Sequence, residues 1–329
     1  REIRRDAYGL DGNKVLVETV YNDKGEVYRV SEPYFENTPK TNAAIYVYDR
    51  LGRDSIVVTP AGTTTYAYSG LTTTVTTPTG TGKTTVNPAG WVLEEETNGK
   101  AVHFTHYASG RVKTATPQDG HSISMEYDLQ GNRIKLTDPD AGVITTRYDG
   151  WGQLVSHTEK VHLTGNSIVT TYGYHPSGLL NNRIRNGETT GYGYDSQNRL
   201  TQISMAGRHV QDFVYDRYDR IVQKTNTVDG SRVFTSQTEY DRLGRVSKET
   251  YPGGYFITNR YDPYGYLTGI TDMNGTNIWN ALTSNAKWQL TSISQGGRTT
   301  SYGFDARGFP SSINSPGIMN MSYSFTARG

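Results

Sequence analysis

The sequence of 329 residues contains no cysteine and has almost no net charge. Without thiols the chain has no disulfides, no thiolate metal ligands and no cysteine nucleophile, although this does not fix its compartment. The net charge of +1 at pH 7 favours neither a nucleic acid nor an anionic membrane surface as a partner. No segment approaches the roughly 18 consecutive apolar residues of a membrane-spanning helix, so no membrane span is predicted.

Apolar residues are also scarce. When glycine is counted in place of tyrosine, the apolar fraction is about 37%, against roughly 45–50% in ordinary globular domains. Disorder would fit low hydrophobicity, but the chain has 25 tyrosines and regular strand signals. These features favour a thin sheet held by rows of tyrosines, with water on at least one face.

A tyrosine-aspartate turn recurs about every 21 residues through almost the whole sequence. The leading aromatic residues are Tyr21, Tyr48, Tyr68, Tyr107, Tyr127, Tyr148, Tyr174, Tyr194, Tyr215, Tyr240, Tyr261, Phe304 and Phe325. Two double-length gaps contain divergent copies, at Val86–Gly90 and Leu282–Trp288, which brings the total to about 15 units. A fixed period of this size predicts one array of units, 1–329, in which each unit packs only on its neighbours.

Each unit is expected to turn through a Tyr-Asp-x-x-Gly motif. The aspartate accepts backbone N–H bonds, and the glycine permits the positive φ of a hairpin built on a type I turn. Asn198 and Asp219 replace this glycine in two units and tolerate the same backbone region. The predicted structural turn residues are Tyr48, Asp49, Gly52, Tyr127, Asp128, Gly131, Tyr148, Asp149, Gly152, Tyr194, Asp195, Tyr215, Asp216, Tyr240, Asp241, Gly244, Tyr261, Asp262, Gly265, Phe304, Asp305 and Gly308.

Segments rich in Thr, Val, Ile and Tyr lie between these turns and turns rich in Pro and Gly, a composition typical of strands. Aromatic residues two apart, such as Tyr46 and Tyr48, share one face of a strand and would stack in rows across neighbouring strands. The following strand often carries apolar residues three apart, such as Leu200 and Ile203. These lie on opposite faces unless a bulge intervenes, and both alternatives remain open. The fold class predicted is all-β, tandem hairpins forming a long antiparallel sheet.

Two strands in each of about 15 units give about 30 strands, or roughly 140 Å of sheet at about 4.8 Å per strand. A sheet this wide curls, and one full circle would have a radius of roughly 22 Å, which encloses space. A straight stack or a propeller is the competing geometry. The sequence opens at Arg1-Glu2-Ile3 and closes at Phe325–Gly329 inside turn motifs, so we expect a piece of a longer array, truncated at both ends.

The motif Tyr-Asp-x-x-Gly-Arg/Asn-Leu/Ile/Val at this period resembles the RHS family, also called YD-repeat proteins. The resemblance covers essentially 1–329 and includes the linking segments Tyr68–Thr76, Thr137–Gly142 and Asn280–Leu290. It implies a sheet that spirals into a hollow shell. In bacterial members, such as polymorphic toxins and the B and C components of insecticidal toxin complexes, the shell encloses a C-terminal toxin; in animals, teneurins use a similar shell for adhesion.

The resemblance implies a non-catalytic shell segment of a secreted or surface-delivered bacterial protein, which walls off or carries a polypeptide cargo. Its partners would be further repeats of the same chain and an enclosed C-terminal toxin, or a cell-surface glycan or receptor. The alternative function is an extracellular adhesion or carbohydrate-binding array. Asp262-Pro263 superficially matches the family's self-cleavage motif, but it lies in register as an ordinary turn, so no residue is assigned to cargo release.

Motifs that would assign a nucleotide, metal or sugar site have less support in the sequence. Thr79–Thr84 ends like a phosphate-binding loop but lacks the earlier glycine and a following helix, so we predict a plain turn. Asp138–Gly142 begins like a calcium loop but lacks the distal ligands. His103 and His106 are expected on opposite faces of a strand. No cofactor, metal site or catalytic residue is predicted, and Trp91, Trp151, Trp279 and Trp288 are the candidates for a sugar-binding role.

Overall fold

The computed structural model describes residues 2–10, 12–161, 165–205 and 207–325, all of them strands, turns or connecting segments, with no helix among them. Arg1 and Thr326–Gly329, where the sequence suggested interrupted turn motifs, lie outside the described residues. The first strands are β1 (Glu2–Tyr8), β2 (Lys14–Tyr21), β3 (Val27–Ser31), β4 (Tyr34–Phe35), β5 (Asn42–Tyr48), β6 (Asp54–Thr59), β7 (Gly62–Ser69), β8 (Thr72–Thr77), β9 (Gly80–Val86), β10 (Val92–Thr97), β11 (Lys100–His106), β12 (Val112–Pro117), β13 (Ile123–Tyr127), β14 (Arg133–Asp138), β15 (Gly142–Tyr148) and β16 (Leu154–Val161). The remaining strands are β17 (Ser167–Tyr174), β18 (Leu180–Arg185), β19 (Glu188–Tyr194), β20 (Leu200–Met205), β21 (His209–Tyr215), β22 (Ile221–Val228), β23 (Arg232–Tyr240), β24 (Val246–Thr250), β25 (Phe256–Tyr261), β26 (Leu267–Asp272), β27 (Asn277–Ser284), β28 (Leu290–Gln295), β29 (Arg298–Phe304), β30 (Pro310–Ser315) and β31 (Met319–Ser322).

The 31 strands form one antiparallel sheet in which sequence neighbours pair. The exception is near the start, where β2 pairs with β1 on one side and with both β3 and β4 on the other. β3 then pairs with β5, so the segment containing β4 is an insertion into the regular order. The all-β, tandem-hairpin fold predicted from the repeat is confirmed.

The chain divides into two compact units. The first contains residues 1–83, 240–249 and 255–329, and the second contains residues 84–239 and 250–254. The first unit therefore brings the start and the end of the sequence into one body. Within the second, hairpins follow one another without insertion from β10 to β23.

A β-bulge beside most of the repeat aromatic residues resolves the odd spacing of the apolar residues, although Tyr68 pairs with Thr73 without one. Tyr194 pairs with Leu200 and Tyr192 pairs with Ile203, because Thr201 is the extra residue between them. Leu200 and Ile203 therefore lie on the same face as the two tyrosines. The same register shift adjoins Tyr48, Tyr127, Tyr148, Tyr174, Tyr215, Tyr261 and Phe304.

The sheet buries few side chains completely. Along β7 the residues alternate between half-buried and exposed, as in a sheet with one face in water. Among the described residues the buried apolar side chains are Val15, Leu16, Ala44 and Ile293. Val15 and Leu16 are adjacent and each only 1% exposed, so β2 is covered on both faces at that point.

Several turns at the other edge of the sheet are tight hairpins that the motif analysis did not predict. Asn98-Gly99, Asn186-Gly187 and Gly296-Gly297 each have positive φ at both residues and connect directly paired strands. This is type I′ geometry, and Asn-Gly is its usual sequence signal. The predicted turn at Thr79–Thr84 is wrong beyond its first residue, since Gly80–Val86 is strand β9. The Thr and Val residues there continue a β-pattern that the short Gly-Lys-Thr match obscured.

Gly244, in the turn after Tyr240, tests the requirement for positive φ because its φ is 82°. Gly244→Val should lower the free energy of unfolding by about 1–2 kcal/mol, since a β-branched residue resists this backbone region. Gly244→Asn is the matched control, because Asn198 adopts a φ of 65° at the equivalent position. Thermal unfolding should therefore rank wild type and Asn close together and Val well below. Equal melting temperatures for Val and Asn would contradict this account of the turn.

Candidate functional site

The repeat turn is built around one aspartate side chain. In the turn after Tyr48, Asp49 Oδ1 accepts the backbone N–H groups of Leu51 and Arg53 at 2.8 and 3.0 Å. The Asp49 N–H donates to the Arg53 carbonyl at 2.8 Å, and the Gly52 N–H donates to the Asp49 carbonyl at 3.1 Å. Both backbone bonds recur after Asp128, Asp149, Asp195, Asp216, Asp241, Asp262 and Asp305. Asn22, Asn87 and Asn285 form the same turn with an amide oxygen.

These turn bonds favour the ionised form of the aspartate. The Arg53 backbone N–H is the largest cause that lowers the pKa of Asp49; burial opposes it and the Arg53 side chain adds to it. The Arg199 backbone and side chain lower the pKa of Asp195 in the same way. At Asp128, the Asn132 side chain has the largest effect and also lowers the pKa. The turns thus hold negative charges along one edge of the sheet, most of them matched by a nearby donor.

The glycine position of the turn has positive φ even where glycine is absent. Asn198 and Asp219, the two expected substitutes, have φ of 65° and 62°. Trp288, in the divergent copy, has a φ of 60°, a conformation that is an outlier for a bulky side chain. The Trp288 indole N–H points to the Tyr8 carbonyl at 3.5 Å. A long-range contact therefore accompanies this unusual backbone conformation.

The repeat tyrosines bind neighbouring hairpins through their hydroxyl groups, which motif analysis missed. The Tyr194 hydroxyl donates to the Leu180 carbonyl at 3.0 Å, in the strand that begins after the previous turn. Tyr48, Tyr174, Tyr215 and Tyr261 donate likewise to Val27, Leu154, Leu200 and Val246 at 2.6–2.8 Å. The signal available in the sequence was the preference for tyrosine over phenylalanine at this position. Ring-on-ring contact across units occurs at Tyr107 and Tyr127, with centroids 5.9 Å apart.

Arginine four residues after the turn aspartate connects one unit to the next. Arg245 Nε donates to Asp241 Oδ2 at 2.6 Å, and its guanidinium lies 4.3 Å from the centre of the Tyr261 ring. The same ion pair and ring contact join Arg53 to Asp49 and Tyr68, and Arg199 to Asp195 and Tyr215. The guanidinium thereby occupies the space between two consecutive turns.

Two clefts open where glutamine replaces this arginine. The Trp151 cleft has a volume of about 670 Å³ and is lined by Asp149, Trp151, Gln153, Val155, Tyr172, Tyr174, His175, Pro176, Ser177 and Gly178. The Gln153 amide donates to the Gly178 carbonyl at 2.9 Å. The Phe304 cleft, of about 580 Å³, lies beside Gln289, whose amide donates to the Gly308 carbonyl at 2.8 Å.

The Phe304 cleft is closed on one side by the insertion between β3 and β5. Lys287 lies between the two walls, 3.1 Å from the Glu32 carboxylate and 3.1 Å from the Ala306 carbonyl. Elsewhere in the first unit, Tyr264 of a late repeat turn stacks on Tyr8, with ring centroids 4.5 Å apart. The first unit therefore contains a seam at which late turns contact the β1–β2 hairpin.

The insertion is fixed by a buried carboxylate that no motif indicated. Glu18 is 8% exposed and accepts hydrogen bonds from the Lys40 ammonium and the Tyr34 hydroxyl. Its backbone N–H donates to Ser31 Oγ at 2.9 Å. Lys40 and then Tyr34 lower the pKa of Glu18 to about 2, and the Glu18 carboxylate raises the pKa of Tyr34 to about 12.

The four tryptophans differ sharply in exposure. Trp151 is 91% and Trp288 42% exposed, whereas Trp91 and Trp279 are half-buried, with Trp91 packed 5.6 Å from the His106 ring. Asp138 Oδ1 accepts the N–H groups of Asp140 and Ala141, as in a simple turn. Across the described ranges, no cluster of three or more His, Asp or Glu side chains could hold a metal ion. No helix within these ranges is long and apolar enough to cross a membrane.

Comparisons with known proteins agree with the repeat and the fold. The sequence profile of the Teneurin YD-shell matches residues 84–226. Teneurin-1 of Gallus gallus is 26% identical in an alignment of 187 residues that covers 51% of this chain and 7% of that protein. The crystal structure of TcdB2-TccC3-Cdc42 aligns with a TM-score of 0.78 at 15% identity, over 100% of this chain and 21% of that one. The Photorhabdus luminescens Tc holotoxin pore aligns with a TM-score of 0.77 over 96% of this chain and 19% of that one, at 15% identity.

The repeat turns, the bulged hairpins and the single antiparallel sheet define a YD-repeat sheet protein. The profile match over residues 84–226 and the fold likeness support the resemblance to the RHS/YD-repeat family that the sequence motif predicted. It spans about a fifth of the matched Tc toxin chains and a smaller share of Teneurin-1.

The Glu18 cluster predicts a specific pH dependence. Because the folded-state pKa of Glu18, about 2, lies below its ordinary value of 4.5, its ionised form stabilises the fold above about pH 4.5. That contribution is lost as the pH falls towards 2. The difference in unfolding free energy between wild type and Glu18→Gln should therefore shrink between pH 6 and pH 3. A constant difference, measured by urea unfolding at both values, would refute the linkage.

Tyr34 carries the opposite sign, since its pKa rises from 10 to about 12. Its protonated hydroxyl stabilises the fold fully below about pH 10 and loses that effect as the pH passes 12. Tyr34→Phe should lower the unfolding free energy by about 1 kcal/mol at neutral pH, because the carboxylate loses one charge-assisted hydrogen bond. The solvent-exposed Tyr218→Phe is the control, and an equal effect of both substitutions would show that the cluster contributes nothing.

Proposed function

We propose that this chain is a non-catalytic segment of a shell wall that encloses or carries a polypeptide cargo, such as a toxin domain, in a secreted or surface-delivered protein. The observation that carries the proposal is the fold likeness to the Tc toxin chain along the whole sequence. That likeness concerns the fold; the cargo and the destination are inferences from it.

The chemistry of the sheet supports a wall. Its strands are held by backbone pairing, tyrosine hydroxyl bonds and guanidinium stacking rather than by a thick apolar core. Such units extend by adding neighbours, and a sheet of 31 strands is wide enough to surround space. The stacking of Tyr8 on Tyr264 joins parts of the first unit that are distant in sequence, a contact that would stabilise the edge of a wall.

Adhesion through surface glycans is the second candidate function, and Trp151 is the observation that favours it. An indole that is 91% exposed, beside Asp149 and Gln153, resembles the aromatic platform and polar groups that recognise sugar rings. The charge of the same cleft, however, favours a cationic ligand.

Scattering and proteolysis together test the proposed role. A compact body of this length has a radius of gyration of about 20 Å, and a curved wall should exceed that value in small-angle scattering. In the full-length protein, an enclosed segment should resist trypsin until the wall is unfolded by urea. A radius near 20 Å, or cleavage of all segments at native conditions, would overturn the enclosure proposal.

A further inference from the structure

The arginine of the repeat turn occupies an internal side-chain binding site, here called its receptor. This site is made of the carboxylate of its own turn and the tyrosine ring of the next unit. Between Asp241 and Tyr261, the Arg245 guanidinium is 2.6 Å from Oδ2 and 4.3 Å from the ring centre. An ion pair and a cation–π contact together suit the planar, weakly hydrated guanidinium group better than an ammonium group. Arg53 and Arg199 occupy two further receptors of this kind.

At Gln153 both walls of this receptor remain but the guanidinium is missing. Asp149 forms the standard turn, with Oδ1 accepting the Trp151 and Gln153 N–H groups at 2.9 Å each. Tyr174 binds the Leu154 carbonyl at 2.8 Å, as its equivalents do in other units. Because residue 153 is a neutral amide, the Asp149 charge is not neutralised within its turn, and the Trp151 cleft occupies the space between the turns.

Two other turns without this arginine supply a substitute donor, whereas at Asp262, where Tyr266 replaces the arginine, Oδ2 is buried without a hydrogen-bond partner. At Asp128, the Asn132 amide donates to Oδ2 at 3.0 Å. At Asp305, the Arg307 guanidinium lies 3.1 Å from the carboxylate. The Phe304 cleft also has a glutamine, Gln289, but its turn residue is the neutral Asn285. An aspartate with glutamine at the arginine position and a cleft beside it therefore occurs at Asp149.

We propose that the Trp151 cleft binds an arginine side chain presented by a partner polypeptide. Its guanidinium pairs with the Asp149 carboxylate and stacks on Tyr174, while the exposed Trp151 indole covers the aliphatic part of the side chain. The proposal rests on charge complementarity and on the three internal receptors. It holds whether that polypeptide is an enclosed cargo or an external partner, and so stands apart from the proposed shell role.

The test uses the indole N–H signals of ¹⁵N-tryptophan-labelled protein, with the Trp151 signal assigned through Trp151→Phe. The probe is acetyl-Gly-Arg-Gly-amide, compared with its citrulline and lysine analogues. The arginine peptide should shift the Trp151 signal saturably. The citrulline peptide, which is similar in shape but uncharged, should not, and the lysine peptide should bind more weakly. Equal responses to arginine and citrulline, or no saturable shift, would overturn the proposal.

Two variants locate the interaction. Asp149→Asn should weaken binding about tenfold by removing the charge while keeping the turn, since asparagine forms that turn at Asn285. Gln153→Arg should fill the site from within, abolish peptide binding and raise the melting temperature by roughly 1–3 °C. Gln289→Arg is the matched control, because the neutral Asn285 stands at the aspartate position of its own turn. It should leave peptide binding unchanged and give less stabilisation than Gln153→Arg. A Trp151 shift produced by methyl glucoside but not by the arginine peptide would refute the proposal in favour of a sugar site.

Discussion

The fold depends on one side-chain oxygen, of an aspartate or an asparagine, that accepts two backbone N–H groups in most of the repeat turns. This pair of bonds holds the following residues in a tight turn and leaves the fourth residue after the tyrosine with positive φ, as at Gly52. The bulge then follows, because the strand after the turn has one residue more than its partner. Since the bulge fixes which side chains share a face, the turn sets the register of the hairpin that it closes.

Once the register is fixed, stability comes from contacts between consecutive hairpins. A tyrosine ring at the end of one strand places its hydroxyl on a carbonyl of the preceding hairpin, and an arginine after the turn covers the ring of the next unit. These contacts are local in sequence and repeat along the chain, so few residues need full burial. These contacts explain how the chain is ordered in spite of its low apolar content.

The repeated features could be predicted from the sequence, and the unrepeated ones could not. Strands, turns and the antiparallel order follow from a motif present many times, so each weak signal is supported by the others. The role of the turn arginine was missed because residue type alone does not give the position of the next tyrosine ring. Glu18, Tyr34 and Lys40 are separated by up to 22 residues and occur once, so no pattern pointed to their cluster. Trp288 departs from the glycine rule and also makes a long-range contact with Tyr8, which no local pattern could indicate.

In a repeat protein, the informative positions are therefore those where a unit departs from the common design. An arginine at the fourth position after the aspartate forms an ion pair with that aspartate. Its guanidinium fills the space between the two turns and neutralises the carboxylate. Gln153 and Gln289 donate a hydrogen bond to the next turn, at the Gly178 and Gly308 carbonyls, but lack the guanidinium. The backbone geometry is thus preserved while a cleft opens. One cleft keeps the carboxylate of its own turn and the other has an amide in that place, so the two clefts differ in charge at this position. Such a difference would let the Trp151 cleft select a cation.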